Sequence, residues 1–202
     1  MNNPRKMFRL LGGGVLGVLA LVGCTAPATT TPAASTEQLG AVTCAPTGTG
    51  TRPATITAPA GGPFTVQSVV DGDTIRIDCN GESTRVRLVG INTPETVKDG
   101  SPVECGGPEA STALHTILDS GQVFLSTDPA QGERDRYGRL LTYVWAMDGS
   151  LVNQTMLTMG HAEATGYGKS YAYKQPFETA AKEAAAAGRG MWACPSPTPE
   201  NR

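Results

Sequence analysis

The sequence predicts an α+β, mainly β domain: a five-stranded Greek-key barrel carrying three helices. Three observations lead there. Five short stretches rich in β-branched and aromatic residues alternate with period two. Asp-Gly and Asn-Gly turn signals separate the first three of them. A stretch with helical periodicity falls between the third and the fourth.

Residues 1–23 stand outside that domain. Arg5, Lys6 and Arg9 form a basic n-region before the apolar run Leu10–Val22, the pattern of a secretory signal. The run is short for a bilayer core of roughly 30 Å, which argues against a membrane span. Leu21-Val22-Gly23-Cys24 resembles the lipobox of bacterial lipoproteins, which implies that Cys24 becomes an acylated N-terminus. Residues 24–62 are mostly Thr, Ala, Pro and Gly with almost no charge. Such a segment buries too little surface to offset its ordering entropy and is expected to be an extended tether. Residues 195–202 are expected to be a disordered tail. That leaves 63–194, a normal length for one domain.

The chain carries 16 Lys+Arg and 18 Asp+Glu, a formal charge of −2. Loss of Arg5, Lys6 and Arg9 with the signal leaves 13 against 18, or −5. A globally basic footprint for polyanions is therefore excluded, and any nucleic-acid binding must rest on a local patch. Besides Cys24, four cysteines remain, an even number that in an exported chain points to disulfides. Structural zinc is disfavoured: no pair has Cys-x-x-Cys spacing, and His115 and His161 lie far apart.

Within the domain, Phe64–Val70 reads as the first strand and ends at Asp71-Gly72-Asp73. Thr74–Asp78 is the second, and Cys79-Asn80-Gly81 turns it into the third, Ser83–Ile91. In that strand Val86 and Leu88 face one way, Arg85 and Arg87 the other. Proline at position 94 ends it. Pro108 and Glu109 suit a helix start, and Ala110, Ala113, Leu114, Ile117 and Leu118 form its buried stripe, closed by Gly121. His115 falls off the stripe, on the surface. Gln122–Thr127 is the fourth strand and Gly138–Met147 the fifth. Ser150 is placed to cap a second helix with Val152, Met156 and Met159 on one face; Gly160 ends it and His161 follows. A Gly/Tyr-rich loop, Thr165–Lys174, leads to Pro176 and an alanine-rich third helix, with Met191 and Trp192 as a closing plug. Five strands with a helix between the third and fourth is the order of the oligonucleotide-binding (OB-type) barrel.

The chemistry-bearing residues cluster in three places. Asp71-Gly72-Asp73-Thr74 presents carboxylates at a tight turn, oxygen donors for a hard cation. The stretch RVRLVGINTPET, 85–96, delivers a guanidinium, an amide, a hydroxyl and a carboxylate to a strand end. Arg134-Asp135-Arg136-Tyr137-Gly138-Arg139 sets cations around an aromatic at a strand entrance. Alone, each reads as a turn or a charged loop.

Taken in order, VDGDTIRI, RLVGINTPE, GPEA, DRYGRLL and YAYK closely resemble the staphylococcal nuclease (thermonuclease) family, over roughly Phe64–Trp192. The resemblance implies the barrel above and a calcium-dependent phosphodiesterase that cleaves single-stranded or frayed DNA and RNA to 3′-phosphorylated products. It places Arg87, Glu95 and Arg139 as the catalytic trio. It places Asp73, Asn92 and Thr93 as Ca²⁺ ligands, Thr93 through its carbonyl, with Asn92 where the staphylococcal enzyme has aspartate. It places Tyr137, Tyr171 and Tyr173 beside the bound nucleotide.

These residue types suit the reaction. Guanidinium forks bind phosphoryl oxygens bidentately, as lysine cannot. A carboxylate in the turn serves to orient or deprotonate water, and exposed rings stack on bases of any sequence. The competing reading, a catalytically inactive envelope-tethered binding barrel, predicts loss of a catalytic residue; Arg87, Glu95 and Arg139 are all present. We further expect Cys105–Cys194 and Cys44–Cys79 disulfides: the first ties the C-terminal end to the barrel, the second holds the tether at a hairpin end. The whole is expected to be a monomer, lipid-anchored in the bacterial envelope and facing outside the cytoplasm.

Overall fold

The computed structural model describes residues 39–42, 44, 48, 51–58, 60–96, 103–166 and 170–195. The expectations for residues 1–23, for Cys24 and for the tail beyond residue 195 lie outside the described residues. The strands are β1 Gly40–Ala41, β2 Gly61–Asp71, β3 Thr74–Cys79, β4 Glu82–Leu88, β5 Ile91–Asn92, β6 Gln122–Thr127, β7 Leu140–Trp145 and β8 Glu163–Ala164; the helices are α1 Gly107–Ile117, α2 Val152–Thr158 and α3 Lys174–Ala186.

Five of these strands close a barrel in the order β6-β2-β3-β4-β7, with β7 returning to β6. All its pairs are antiparallel except β4–β7, which runs parallel with Val86 opposite Leu140. This is the five-stranded mixed barrel with three helices that the sequence predicted. The β3–β4 hairpin turns on Asn80 (φ 59°) and Gly81 (φ 84°), the left-handed pair that a two-residue loop needs. Phe64, Ile75, Ile77, Val86, Leu88, Val123, Leu125, Leu140 and Val144 are buried and fill the interior.

Helix α1 buries Ala110, Ala113 and Leu114, as its stripe requires. In α2 two expectations are corrected. The helix has no side-chain cap; Ser150 instead gives its backbone N–H to Asp148 Oδ1 (2.8 Å), so the helix starts at Val152 after Leu151. Its inner face is Val152, Asn153, Met156 and Leu157, while Met159 is 41 % exposed. The amide of buried Asn153 bridges β7 and the turn after β4: Val144 N donates to Oδ1 (2.9 Å) and Nδ2 donates to the Val89 carbonyl (2.8 Å). Helix α3 packs through Phe177 and through Ala180, Ala181 and Ala184, and the small alanine side chains allow close approach. The expected C-terminal plug is corrected in part: in a 3₁₀ turn over Gly190–Ala193, Met191 is half-buried beside Gly106, but Trp192 is 38 % exposed.

Part of the segment expected as a tether is docked on the barrel. β1 pairs antiparallel with the end of β6, and Leu39, Val42, Ile56 and Ala58 are buried. Arg52 Nη2 donates to the carbonyls of Ile56 (2.5 Å) and Ala58 (2.6 Å), a turn that composition alone does not reveal. Cys44 is disulfide-bonded to Cys79 and Cys105 to Cys194. Their sequence separations, 35 and 89, correspond in the chain-entropy account to about 4 and 5 kcal/mol of stabilisation.

Candidate active site

The site lies where β4 breaks. In the β3–β4 ladder Thr74 faces Arg87, so the Asp71-Gly72-Asp73 turn is carried directly to the arginine. Arg87 Nη2 sits 3.0 Å from Asp73 Oδ2 and donates to Asn92 Oδ1 at 3.3 Å; Nη1 donates to the Leu88 carbonyl at 2.6 Å. Strand alternation puts Arg85 and Arg87 on one face, and Arg85 is exposed. Arg87, however, is only 5 % exposed, because the turn and β5 close over it. A buried cation needs such partners; unpaired, it would cost several kcal/mol, on the order of the ion-pair penalties measured in proteins.

Asp73 is fixed from two further sides. Thr93 N donates to Oδ2 (3.2 Å) and Thr74 Oγ1 to Oδ1 (2.9 Å). Gly72 makes room for this: a Cβ there would sit 2.9 Å from Thr93 Oγ1 and 2.8 Å from Ala110 Cβ. Burial pushes the Asp71 carboxyl above the ordinary carboxylate range; bonds from Gly72 N–H (2.8 Å) and Thr96 Oγ1 (2.9 Å) oppose this, while Asp73 and Glu95 add to it. Three carboxylates thus crowd one turn. Glu95 is half-buried, its Oε1 accepting from Thr96 N (3.2 Å). Its backbone exchanges bonds with Glu104: Glu95 N donates to Glu104 Oε2 (3.0 Å) and Glu104 N to the Glu95 carbonyl (2.9 Å).

Arg139 sits immediately before β7, two residues before Leu141, the register partner of Arg87. Its Nε donates to Asp135 Oδ2 (2.6 Å), and Asp135 Oδ1 accepts the Tyr137 (2.9 Å) and Arg139 (3.0 Å) backbone N–H groups. Burial would raise the Asp135 carboxyl, but these bonds and the Arg139 charge outweigh it and hold it below the ordinary range. Tyr137 is 57 % exposed, with the Arg136 and Arg139 guanidinium carbons 4.7 and 5.4 Å from its ring centre.

The other two tyrosines differ from expectation. Tyr171 and Tyr173 are 5 % and 7 % exposed, so neither presents a ring face to solvent. Tyr173 stacks on Phe177 (5.7 Å) and meets Tyr143 edge-on (4.7 Å); Tyr171 lies 5.9 Å from Phe177. Burial first raises both phenols, each to about 12. The core claims these rings because α3 presents Phe177 rather than a polar residue beneath them.

Among the described residues no group of three or more His, Cys, Asp or Glu is arranged to hold a metal. The donors at this turn are instead mixed oxygens: the Asp73 carboxylate, the Asn92 amide oxygen and Thr93, whose buried Oγ1 has no hydrogen-bond partner. Such a set fits a hard cation that tolerates irregular oxygen ligation.

Three residues escaped the sequence reading. Asp135 stands four positions before Arg139, but three arginines surround it and give the loop a cationic pattern. Glu163 lies opposite Asn92 in the β5–β8 pair, and a two-residue strand leaves no periodicity to detect. Asp128, 2 % exposed, ties the Arg139 loop to the Tyr171–Tyr173 segment: Oδ2 accepts from Tyr143 Oη (2.8 Å) and Ala172 N (2.9 Å), and Oδ1 from Ala130 N (3.0 Å).

Residues 85–194 match the family described as staphylococcal nuclease homologue, a stretch that includes Arg87, Asn92, Thr93, Glu95 and Arg139. The chain belongs to the staphylococcal nuclease family. Staphylococcal nuclease relatives include the thermonuclease of Staphylococcus hyicus, 38 % identical over 129 residues, or 64 % of this chain and 75 % of that one. The thermonuclease of Staphylococcus intermedius is 40 % identical over 129 residues with the same coverage. Endonuclease YncB of Bacillus subtilis (strain 168) is 36 % identical over 129 residues, 63 % of this chain and 60 % of the relative. This staphylococcal nuclease homologue is accordingly a thermonuclease-like hydrolase.

Proposed function

We propose that this chain is a calcium-dependent phosphodiesterase of the bacterial envelope that hydrolyses single-stranded or frayed DNA and RNA to 3′-phosphorylated products. The observation that carries the reading is the closed network Asp73–Arg87–Asn92–Thr93 with Glu95 three residues beyond Asn92. It gathers a phosphate-binding cation, an oxygen-donor set and a general base at one strand end.

In the reaction, Glu95 orients a water and takes its proton as the water oxygen attacks phosphorus. The bond from phosphorus to the 5′ oxygen breaks; that oxygen leaves with a proton from solvent, and the phosphate stays on the 3′ side. Arg87 and Arg139 bind the phosphoryl oxygens as their charge grows, and Asp73 and Asp135 hold the two guanidinium groups in place. Asp73, Asn92 and Thr93 would hold calcium, which neutralises phosphate charge and positions the scissile group. Tyr137, exposed beside two guanidinium groups, is the surface on which a base stacks. Tyr171 and Tyr173 are packed in the core around Phe177.

Residues 1–23 act as the signal peptide, Cys24 carries the lipid, the segment to residue 62 links it to the nuclease domain 63–194, and the protein works as a monomer. Two disulfides suit an oxidising compartment outside the cytoplasm. Incubating the protein with denatured DNA, with and without a calcium chelator, tests the activity. Calcium-dependent fragments with 3′-phosphate ends are expected. Binding without cleavage would leave a nucleic-acid-binding barrel. Cys24→Ser tests the anchor, which predicts release or misprocessing of the protein.

A further inference from the structure

Asn92 brings no charge to the proposed ligand set, and an amide has two faces that differ only in which atom points where. Its orientation here is set by two groups, Arg87 on one side and, on the other, Glu163. Its carboxylate can only accept, and its Oε1 takes a hydrogen bond from Asn92 Nδ2 at 3.3 Å across the β5–β8 ladder. The amide nitrogen is thereby drawn away from the site. The oxygen is left facing Arg87, whose Nη2 donates to it at 3.3 Å. Glu163 also sets a full negative charge directly behind a ligand that has none. Asn92 and Glu163 share no sequence motif; the antiparallel pairing of two two-residue strands brings them together.

We infer that Glu163 is a positioning residue for the cation site, aiming the Asn92 oxygen inward and supplying from across the ladder the charge that residue 92 lacks. This rests on the calcium reading above. Residues that orient a metal ligand in this way typically contribute about 10–100-fold to affinity. The two parts of the effect are separable. Gln at 163 keeps length and an acceptor oxygen but removes the charge; Ala removes both. A second carboxylate, Glu178, lines the same cleft of about 380 Å³ as Glu163 and pairs with Lys174 at 4.0 Å, which makes it a control for general charge.

The test is isothermal calorimetry of the whole mature protein with calcium chloride, without nucleic acid, on wild type, E163Q, E163A, E178Q and the double variant N92D/E163Q, each first checked by thermal melting. E163Q is expected to weaken calcium binding about tenfold and E163A more, toward the upper end of that 10–100-fold range. E178Q should bind as wild type does, and N92D/E163Q should recover affinity because the charge returns at the ligand itself. Unchanged affinity in a folded E163Q, equal weakening in E178Q, or no recovery in the double variant would each overturn the role of Glu163. If wild type takes up no calcium, both this inference and the calcium reading fall. If wild type binds and E163Q binds equally, only this inference falls.

Discussion

Arg87 and Arg139 are the same side chain put to the same proposed use, yet the protein holds them in opposite ways. Arg87 is buried, and its partners come from three places: Asp73 on the turn before β3, Leu88 beside it and Asn92 on β5. Arg139 keeps a side chain 25 % exposed and is held by Asp135, four residues earlier in its own loop. The first is part of the folded framework, so its position is inherited from the barrel. The second is a local clamp on a loop that also carries the exposed Tyr137. One arginine is positioned by tertiary structure and the other by its own turn.

The largest expected effect tests whether both serve the reaction. Arg87→Lys and Arg139→Lys keep charge and lose the fork, and each should lower kcat by about 10²–10³, the usual cost of one preorganised donor. Single-turnover rates on denatured DNA measure it; near-normal turnover in a folded Arg87→Lys protein would remove that residue from the mechanism.

Stability should then separate the two. Arg87→Ala leaves Asp73 buried beside Asp71 without its cation, and breaking a buried pair costs about 3–5 kcal/mol. Arg139→Ala disrupts a partly exposed pair, for which about 1 kcal/mol or less is expected. Urea denaturation of both variants gives the comparison, and equal losses would contradict the buried-versus-local distinction.

Tyr137→Ala sharpens the loop's side of the contrast. With the ring largely exposed, its removal should weaken single-stranded DNA binding by about 1–3 kcal/mol, the range for one stacked base, and leave the melting temperature unchanged. Fluorescence anisotropy under chelating conditions, where no cleavage occurs, reads this directly.

The smallest effect is a titration. Asp135 is held below the ordinary aspartate range in the folded protein, so its contribution to stability is present above that range. It is lost as pH falls through the lowered folded value. Carboxyl NMR should show Asp135 moving back up toward an ordinary aspartate in Arg139→Ala, and no movement would mean that the clamp is not electrostatic.

Much of this was legible in the residues. The five barrel strands follow from alternation and turn chemistry, down to the Asn80-Gly81 hairpin, since period-two patterning and left-handed turn positions are local properties. The docked half of the segment before β2 was not. Leu39, Val42, Ile56 and Ala58 are too sparse to signal a packed element, and they are buried only because the barrel and the Cys44–Cys79 bridge supply a surface. The tyrosines show the same limit from the other side: Tyr137, Tyr171 and Tyr173 look alike in sequence, but Phe177 and Tyr143 draw the last two inward.

By itself, then, the sequence determined the barrel and its helices and set Asp73, Arg87, Glu95 and Arg139 in short motifs of suggestive chemistry, because local patterning and residue type survive in a linear string. Tertiary structure alone decided which of those residues touch. Thr74 opposite Arg87 and Glu163 opposite Asn92 are matters of register, set when distant strands pair to bury a common core and shared by residues that have no other relation in the chain.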